Sequence, residues 1–331
     1  MRTRIIAEVA QGYEGRPDYA AFFVRAAAKA RADAVKFQIV FADDTAEPGY
    51  QYYDFYKQLE MDVAVWQGLR NLAGDLGVGF FADVSGDRAM AVARTIRPDA
   101  IKIHSSNFFN RALIRQAFEV ADRVFVSLGG VTVEEVDSLV DEVGKWGCGG
   151  RLGLLYGFQA EPTPTELTGL ARLPVLRARF PGIALGYMDH APGESEDQIH
   201  LSAMAMALGV DWIEKHLTLD RFMEVEDFVS ALEPREFARY VDALDRLWTA
   251  MGDGSLALNE RELAYRDRAV KKLIAARDLP QGTVVAADDL VFKRTPRIPA
   301  GQGFHDPGAV VGRRLAKALG AGEPFIDEVF A

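Results

Sequence analysis

Two histidines stand at the ends of consecutive strand-like runs in the second half of the chain. His190 closes the run Gly186-Tyr187-Met188-Asp189-His190, and His216 closes Ile213-Glu214-Lys215-His216. Because neighbouring strands lie about 4.8 Å apart, the two imidazoles could hold one divalent ion and leave positions open for water or substrate. The alternative is one core histidine and one loop histidine, and spacing alone leaves both interpretations open.

Two lysines fall inside earlier strand-like runs. Lys36 and Lys102, if they point inward, would bind phosphate or carboxylate well. The alternative pairs each lysine with a neighbouring acid such as Glu8. Ser105 and Ser127, at the ends of the fourth and fifth runs, can add neutral hydrogen-bond donors.

Polar side chains thus lie in or directly after several apolar runs. A strand buried on both faces is expected to be almost entirely apolar, so polar groups at its carboxyl end are costly unless they serve a site. We therefore predict a shared pocket for a group on different strands: Glu8, Lys36, Lys102, Ser105, His190 and His216.

The elements that must position these residues alternate between strand and helix. Helical patterns such as Val63–Leu76 and Val133–Lys145 separate the strand candidates. The strand candidates are Arg4–Ala10, Ala34–Val40, Val78–Val84, Ala100–Ser106, Val124–Gly130, Arg151–Phe158, Gly182–Asp189 and Trp212–Leu219. Repeated βα units over about 250 residues predict a (β/α)8 TIM barrel with its site at the carboxyl ends of the strands. A doubly wound sheet is the rival, but the first turn, Gln11–Gly15, lacks the Gly-rich phosphate fingerprint.

The pattern changes towards the C-terminus. Residues 1–254 are assigned to the barrel and residues 255–269 to a linker, in which Arg261–Val270 is charged and predicts a helix or loop. Residues 270–331 have short β-like runs and turn residues, which predict a small separate module.

Composition limits the class of protein. The chain has 331 residues, 49% of them hydrophobic, and a formal net charge of −10, which argues against nucleic acid or an anionic membrane as the main partner. The one cysteine, Cys148, excludes an intrachain disulfide. No apolar run reaches the length of a membrane span or a signal peptide, so a cytoplasmic location is expected.

At these residues the sequence resembles the sialic acid (nonulosonate) synthase family. The resemblance covers essentially the whole chain and ends in a tail, with Ala275–Leu279 and Lys293-Arg294, that looks like an antifreeze-like SAF domain. The motifs that carry it are Ile5–Glu8, Val35–Gln38, Ile101–Ser105, Val126–Gly130, Gly186–His190 and Ile213–Arg221.

The resemblance implies a transferase of carbohydrate biosynthesis that condenses phosphoenolpyruvate with an aldose and releases phosphate. It implies that His190 and His216 bind manganese or magnesium, which would polarise the sugar aldehyde and place a water. Glu8 would orient reactants or handle a proton, and Asp227 would contact the sugar or the metal-bound water. Arg294 would reach the sugar of the partner subunit in a homodimer with a swapped tail domain. The residues that would bind phosphoenolpyruvate are Lys36, Lys102, Ser105 and Ser127.

The chain departs from the family pattern mainly on the acceptor side. Asp83 stands where a phosphate-contacting threonine is expected, and Met188 replaces the serine before Asp-His. Asn107 aligns with a sugar-contacting glutamate, while Gln159 and Glu161 align with an Asn or Ser and a Tyr. Further departures are Gly12-Tyr13 for Asn-His and Phe228 for the histidine after Asp227. These changes predict an unusual acceptor and make N-acetylmannosamine a poor substrate, since Glu161 would favour a free amino group or a pair of hydroxyls.

Three functional hypotheses follow. The first is the metal-dependent, phosphoenolpyruvate-using synthase. The second is a barrel lyase or isomerase that keeps the metal but binds no phosphoenolpyruvate, which Asp83 and Met188 favour. The third is a non-catalytic sugar-binding or assembly protein, which the retained histidines and lysines disfavour.

Overall fold

Parallel strands in the first part of the chain close into a barrel. The computed structural model describes residues 2–158, 160, 162–298 and 301–330. Over these residues the eight barrel strands pair in sequence order, β1 with β2 and onward to β8, which pairs back with β1. They are β1 Arg4–Ala10, β2 Ala34–Ile39, β3 Gly79–Val84, β4 Ala100–Ile103, β5 Val124–Ser127, β6 Leu152–Tyr156, β7 Ala184–Asp189 and β8 Trp212–His216. The predicted (β/α)8 barrel is confirmed.

Within the part of the chain that the structure describes, the helices between Pro17 and Ala250 connect the strands and cover the outside of the barrel, and one further helix, α11 Glu260–Ala269, follows them in a second unit of the chain. Their starts follow local chemistry: Pro17 opens α1, and Thr132 caps α7 with Glu135 in a reciprocal capping box. The helices are α1 Pro17–Lys29, α2 Ala42–Thr45, α3 Tyr53–Leu59, α4 Val63–Asp75, α5 Asp87–Ile96, α6 Arg111–Val120, α7 Val133–Lys145, α8 Arg172–Arg179, α9 Asp197–Ala207, α10 Pro234–Ala250 and α11 Glu260–Ala269. Among the described residues, no helix has the length and apolar character needed to cross a bilayer.

One apolar side chain from each barrel strand belongs to a buried cluster that fills the barrel interior. Its members are Ile6, Ala34, Phe81, Ala100, Phe125, Leu155, Met188 and Trp212. Since side chains alternate between the faces of a strand, the residue two positions later faces inward again, one layer nearer the carboxyl ends. The apolar layer is thus a floor, and the next inward layer forms the base of the barrel mouth.

Several strands end sooner than their hydrophobic patterns suggest. β4 stops at Ile103, and Ser105–Asn107 form a 3-10 turn, so Ser105 lies beyond the strand in which it was predicted. The ring of His104 accepts a hydrogen bond from the backbone amide of Ser106 at 3.2 Å, which turns the chain out of the sheet. The turn carries Asn107 to the wall of the barrel mouth.

The chain divides into two compact units, Met1–Gly252 and Asp253–Ala331. The second unit includes α11, whose first turn is capped by Asn259, and an antiparallel pair of strands, β9 Lys272–Ala275 and β10 Leu290–Lys293. It has its own buried core, in which Leu273, Leu315 and Phe325 take part.

Candidate active site

The layer above the apolar floor is charged. The residues two positions after the apolar floor residues lie on the inner face of the same strands. They include Glu8, Lys36, Asp83, Lys102, Ser127 and Glu214. All six are buried. A set of buried charges on one layer is stable only if the groups neutralise one another, so their pairing decides what the site can bind.

The two lysines are paired with acids. Lys36 Nζ contacts the carboxylates of both Glu8 and Glu214. Lys102 Nζ donates to Glu214 Oε1 at 2.8 Å and lies 3.7 Å from Glu8 Oε2 and 3.8 Å from Asp83 Oδ2. Three carboxylates therefore share two ammonium groups, and an anion entering the layer must displace a carboxylate or arrive with a cation.

Burial and the shared contacts shift the pKa values of two carboxyl groups in this layer. Burial raises the pKa of Glu8 to about 7, with Glu214 acting in the same direction and the lysines opposing it. Burial also acts to raise the pKa of Glu214, but Lys102 and Lys36 outweigh it and hold that pKa well below its usual range. Glu8 is therefore the carboxyl of this pair that can exchange a proton near neutral pH.

The two predicted histidines meet at the same mouth. His190 follows β7 and His216 ends β8, with ring centroids 5.3 Å apart and both residues buried. Burial lowers the pKa of His190 to about 3 and holds the pKa of His216 well below its usual range, so both rings are neutral at pH 7. Asp227 Oδ2 lies 3.6 Å from His216 Nδ1, and burial raises the pKa of Asp227 to about 7.

This donor set fits an open metal site. Neutral imidazole is the form of histidine that binds a metal, and two adjacent rings leave room for oxygen ligands. In the described part of the chain, no group of three or more His, Cys, Asp or Glu side chains is arranged to hold a metal ion. An ion at this pair would therefore complete its coordination with water or substrate oxygens.

A second buried network lies behind the histidines, on the outer face of β7 and β8. Lys215 Nζ donates to Asp189 Oδ1 at 3.3 Å and to the carbonyl of Ala191 at 2.8 Å. Ser202 of α9 donates to Asp189 Oδ2 at 2.8 Å, and Tyr240 of α10 donates to Ser202 at 2.6 Å. Since Asp189 precedes His190 and Lys215 precedes His216, this network fixes the two strand ends that carry the rings.

The remaining predicted residues are dispersed. Ser127 Oγ is buried with no hydrogen-bond partner among the described residues, and Asn107 lines the open cavity. Arg294 follows β10 in the second unit, where it is exposed and donates to the carbonyl of Ala269 at 3.2 Å. Gln159 and Glu161 lie outside the described residues.

A cavity of about 890 Å³ opens at the mouth of the barrel. Its wall includes Tyr50, which lies between α2 and α3, and Tyr56 of α3, and the centroids of these stacked rings are 6.3 Å apart. Asp83 and Asp227 also line it, so the cavity adjoins both the charged layer and the histidine pair. A monosaccharide fits easily in this volume.

Sequence reasoning missed Glu214, Lys215 and Asp189 as site residues. The signal was present: Glu214-Lys215-His216 is a charged triplet inside a strand that is buried throughout. Its alternation sends Glu214 and His216 inward and Lys215 outward.

Fold and site define a (β/α)8-barrel enzyme whose paired histidines and lysines sit at the carboxyl ends of the strands. The chain belongs to the NeuB family, whose model matches residues 23–256, and it carries a SAF domain at residues 271–327. The resemblance drawn from the motifs is confirmed, and so is the small C-terminal SAF domain.

Individual relatives are distant but span nearly the whole chain. An uncharacterized protein of Methanocaldococcus jannaschii is 28% identical over 89% of this chain and 86% of its own length. The N,N'-diacetyllegionaminic acid synthase of Legionella pneumophila is 25% identical over 98% of this chain and 93% of its own. The sialic acid synthetase of Leptospira borgpetersenii, solved with citrate, is 25% identical with a TM-score of 0.73, covering 81% of this chain and 93% of that one.

Proposed function

We propose that this protein is a nonulosonate-type synthase. It condenses phosphoenolpyruvate with an aldose to give a 2-keto-3-deoxy sugar acid and inorganic phosphate. One observation carries the proposal: two neutral histidines and two buried lysines lie together at one barrel mouth, in a chain of the NeuB family. The named synthases among its relatives support the same reaction class.

The reaction balances without a redox partner. C3 of phosphoenolpyruvate attacks the aldehyde carbon and forms the new carbon–carbon bond, while water adds to C2. The bond between C2 and the phosphate oxygen then breaks, which leaves a ketone and releases phosphate.

The residues of this chain would divide the work. Lys36 and Lys102 bind the anionic groups of phosphoenolpyruvate once Glu214 yields its contacts, and Ser127 adds a donor. Glu8 takes or gives a proton. His190 and His216 hold manganese or magnesium, which when bound polarises the aldehyde oxygen. Asp227 orients the acceptor beside His216.

The residues outside this cluster have supporting roles in the proposal. Asn107, in the turn after β4, contacts the substrates from the cavity wall, and Ser105 of the same turn adds a donor. Gln159 and Glu161 contact the acceptor. Arg294 is supplied by the partner subunit of a homodimer.

Phosphate release tests the proposal. The full-length enzyme, supplied with Mn²⁺ or Mg²⁺, is incubated with phosphoenolpyruvate and a panel of aldoses, and inorganic phosphate is measured. We expect aldose-dependent release that a chelator abolishes and that His216→Ala lowers strongly. Equal metal binding by wild type and His216→Ala in a titration would remove the metal site from the proposal.

A lyase or isomerase that uses no phosphoenolpyruvate is the second candidate. The contact of 3.8 Å between Asp83 and Lys102 favours it, because a carboxylate already occupies part of the anion site. Absence of phosphate release with every aldose, together with conversion of a 2-keto sugar acid alone, would identify this second activity.

A further inference from the structure

The open cavity at the barrel mouth has a one-sided charge. Its described lining residues include no lysine or arginine. They do include five acids from three different parts of the barrel: Asp44, Glu47, Asp83, Glu226 and Asp227. Carboxylates gathered around one cavity repel each other and any anion that enters, and this repulsion falls when a cation binds.

Asp83 is the acid of this cavity that is buried with an oxygen left without a hydrogen bond, over the part of the chain that the structure describes. It is only 4% exposed, and its Oδ2 atom has no hydrogen-bond partner among the described residues. The neighbouring ammonium group, Lys102 Nζ, is 3.8 Å away and is already hydrogen-bonded to Glu214. A buried carboxylate oxygen without a hydrogen bond costs stability, and a ligand donor in the cavity would recover it.

Asp44 shows the contrast. Its Oδ2 accepts a hydrogen bond from the backbone amide of Arg88 at 2.7 Å, close to the start of α5, so this carboxylate is held by the fold. In the described part of the chain, Asp83 Oδ2 has no comparable donor, and Asp83 lies on the inner face of β3, two residues beyond the floor residue Phe81. Asp83 also lines the cavity, so its carboxylate borders the space that a ligand would fill.

From this geometry we infer that the acceptor is a cationic aldose, an amino sugar with a free ammonium group, bound through Asp83. The inference rests on the proposed function and names the substrate class of the same site. An N-acyl sugar brings no charge to offset the carboxylate of Asp83, and a sugar phosphate adds like charge. The stacked rings of Tyr50 and Tyr56 provide an aromatic wall for the sugar face or its ammonium group.

The test compares matched acceptors. With phosphoenolpyruvate and a divalent ion, kcat/KM from phosphate release is measured for mannosamine, N-acetylmannosamine and N-acetylmannosamine 6-phosphate. We expect at least about tenfold preference for the free amine. Asp83→Asn keeps the shape of the side chain and should erase most of that preference, whereas Asp54→Asn, an exposed residue on α3 outside the cavity lining, should leave it unchanged.

Calorimetric titration of the same sugars separates this inference from the proposed reaction. Tighter binding of mannosamine than of N-acetylmannosamine, lost in Asp83→Asn, supports the inference even without turnover. Equal or reversed affinities overturn it, whether or not phosphate is released. If N-acetylmannosamine is turned over with the same kcat/KM as mannosamine or a higher one, the proposed synthase activity is supported and only the inference of a cationic acceptor is overturned.

Discussion

Asp83 lies beside one of the two lysines that would bind an anion in the proposed synthase. Lys36 and Lys102 face three buried carboxylates, so the layer has no excess positive charge. The family pattern places a neutral threonine at the position of Asp83. In the proposed synthase, a carboxylate in place of that threonine would weaken the binding of phosphate unless a cation is also present.

We predict that Asp83→Thr tightens the binding of phosphoenolpyruvate. Removing the carboxylate 3.8 Å from Lys102 frees part of that ammonium group for the substrate, and a gain of about 1.4 kcal/mol would lower the KM about tenfold. The measurement is the KM for phosphoenolpyruvate at saturating aldose, with Asp54→Asn as the matched control. An unchanged or higher KM would show that Asp83 does not compete with the substrate for Lys102.

Ser127 offers a second test at the scale of one atom. Its hydroxyl is fully buried and has no hydrogen-bond partner among the described residues, a state that costs about 1–3 kcal/mol unless a ligand satisfies it. Ser127→Ala should therefore leave thermal stability unchanged or raise it, and raise the KM for phosphoenolpyruvate several-fold. Loss of stability with an unchanged KM would assign the hydroxyl a purely structural role.

At the scale of the element, the ends of β7 and β8 act as one unit. The ion pair between Lys215 and Asp189 joins the two strands on their outer face, and α9 and α10 extend it through Ser202 and Tyr240. The inner face of the same two strands carries the histidines. Positioning of the rings is therefore built into the packing of barrel against helices.

We predict that Lys215→Met destabilises the protein by about 3–5 kcal/mol, because it leaves the carboxylate of Asp189 buried and unpaired. The double variant Lys215→Met with Asp189→Leu should lose much less than the sum of the single losses. Denaturant unfolding measures both, with the exposed Lys145→Met as control. Additive losses would mean that the pair is not coupled. Metal titration of the folded variants adds the positioning readout, and weaker binding is expected.

The barrel elements were predictable because their signal is periodic. Strand and helix patterns recur along residues 1–252, and strict alternation fixes which side chains face inward. Alternation also identifies Glu214, two residues after the floor residue Trp212, and the sequence analysis did not use it there. The cavity wall around Tyr50 could not be predicted, because the segment between α2 and α3 has no regular structure and its position depends on tertiary packing.

At the scale of the whole molecule, the second unit leaves apolar side chains exposed. Its core is small, and Phe292, Val284 and Val311 remain exposed by 47%, 48% and 40%. A unit as small as Asp253–Ala331 would gain stability if such apolar area were covered. A second copy of the chain would provide that cover and would bring Arg294 to a neighbouring acidic cavity.

We predict a homodimer by sedimentation at micromolar concentration. Arg294→Ala should lower kcat/KM for the aldose about tenfold or more while the dimer persists, since in the proposed dimer the guanidinium would contact the substrate and would not hold the interface. Arg297→Ala, an exposed neighbour, is the control. A monomer with full activity would contradict the exchange of tail domains between subunits.

The proposed condensation is tested most directly by the fate of C3 of phosphoenolpyruvate. Phosphoenolpyruvate labelled with carbon-13 at C3 is incubated with the full-length enzyme, a divalent ion and the preferred aldose, and the products are followed by NMR. We expect the label to become a methylene carbon bonded to the former aldehyde carbon, with one inorganic phosphate released per product. Label that stays in phosphoenolpyruvate, or appears only in the methyl group of pyruvate with every aldose, would contradict the proposed condensation.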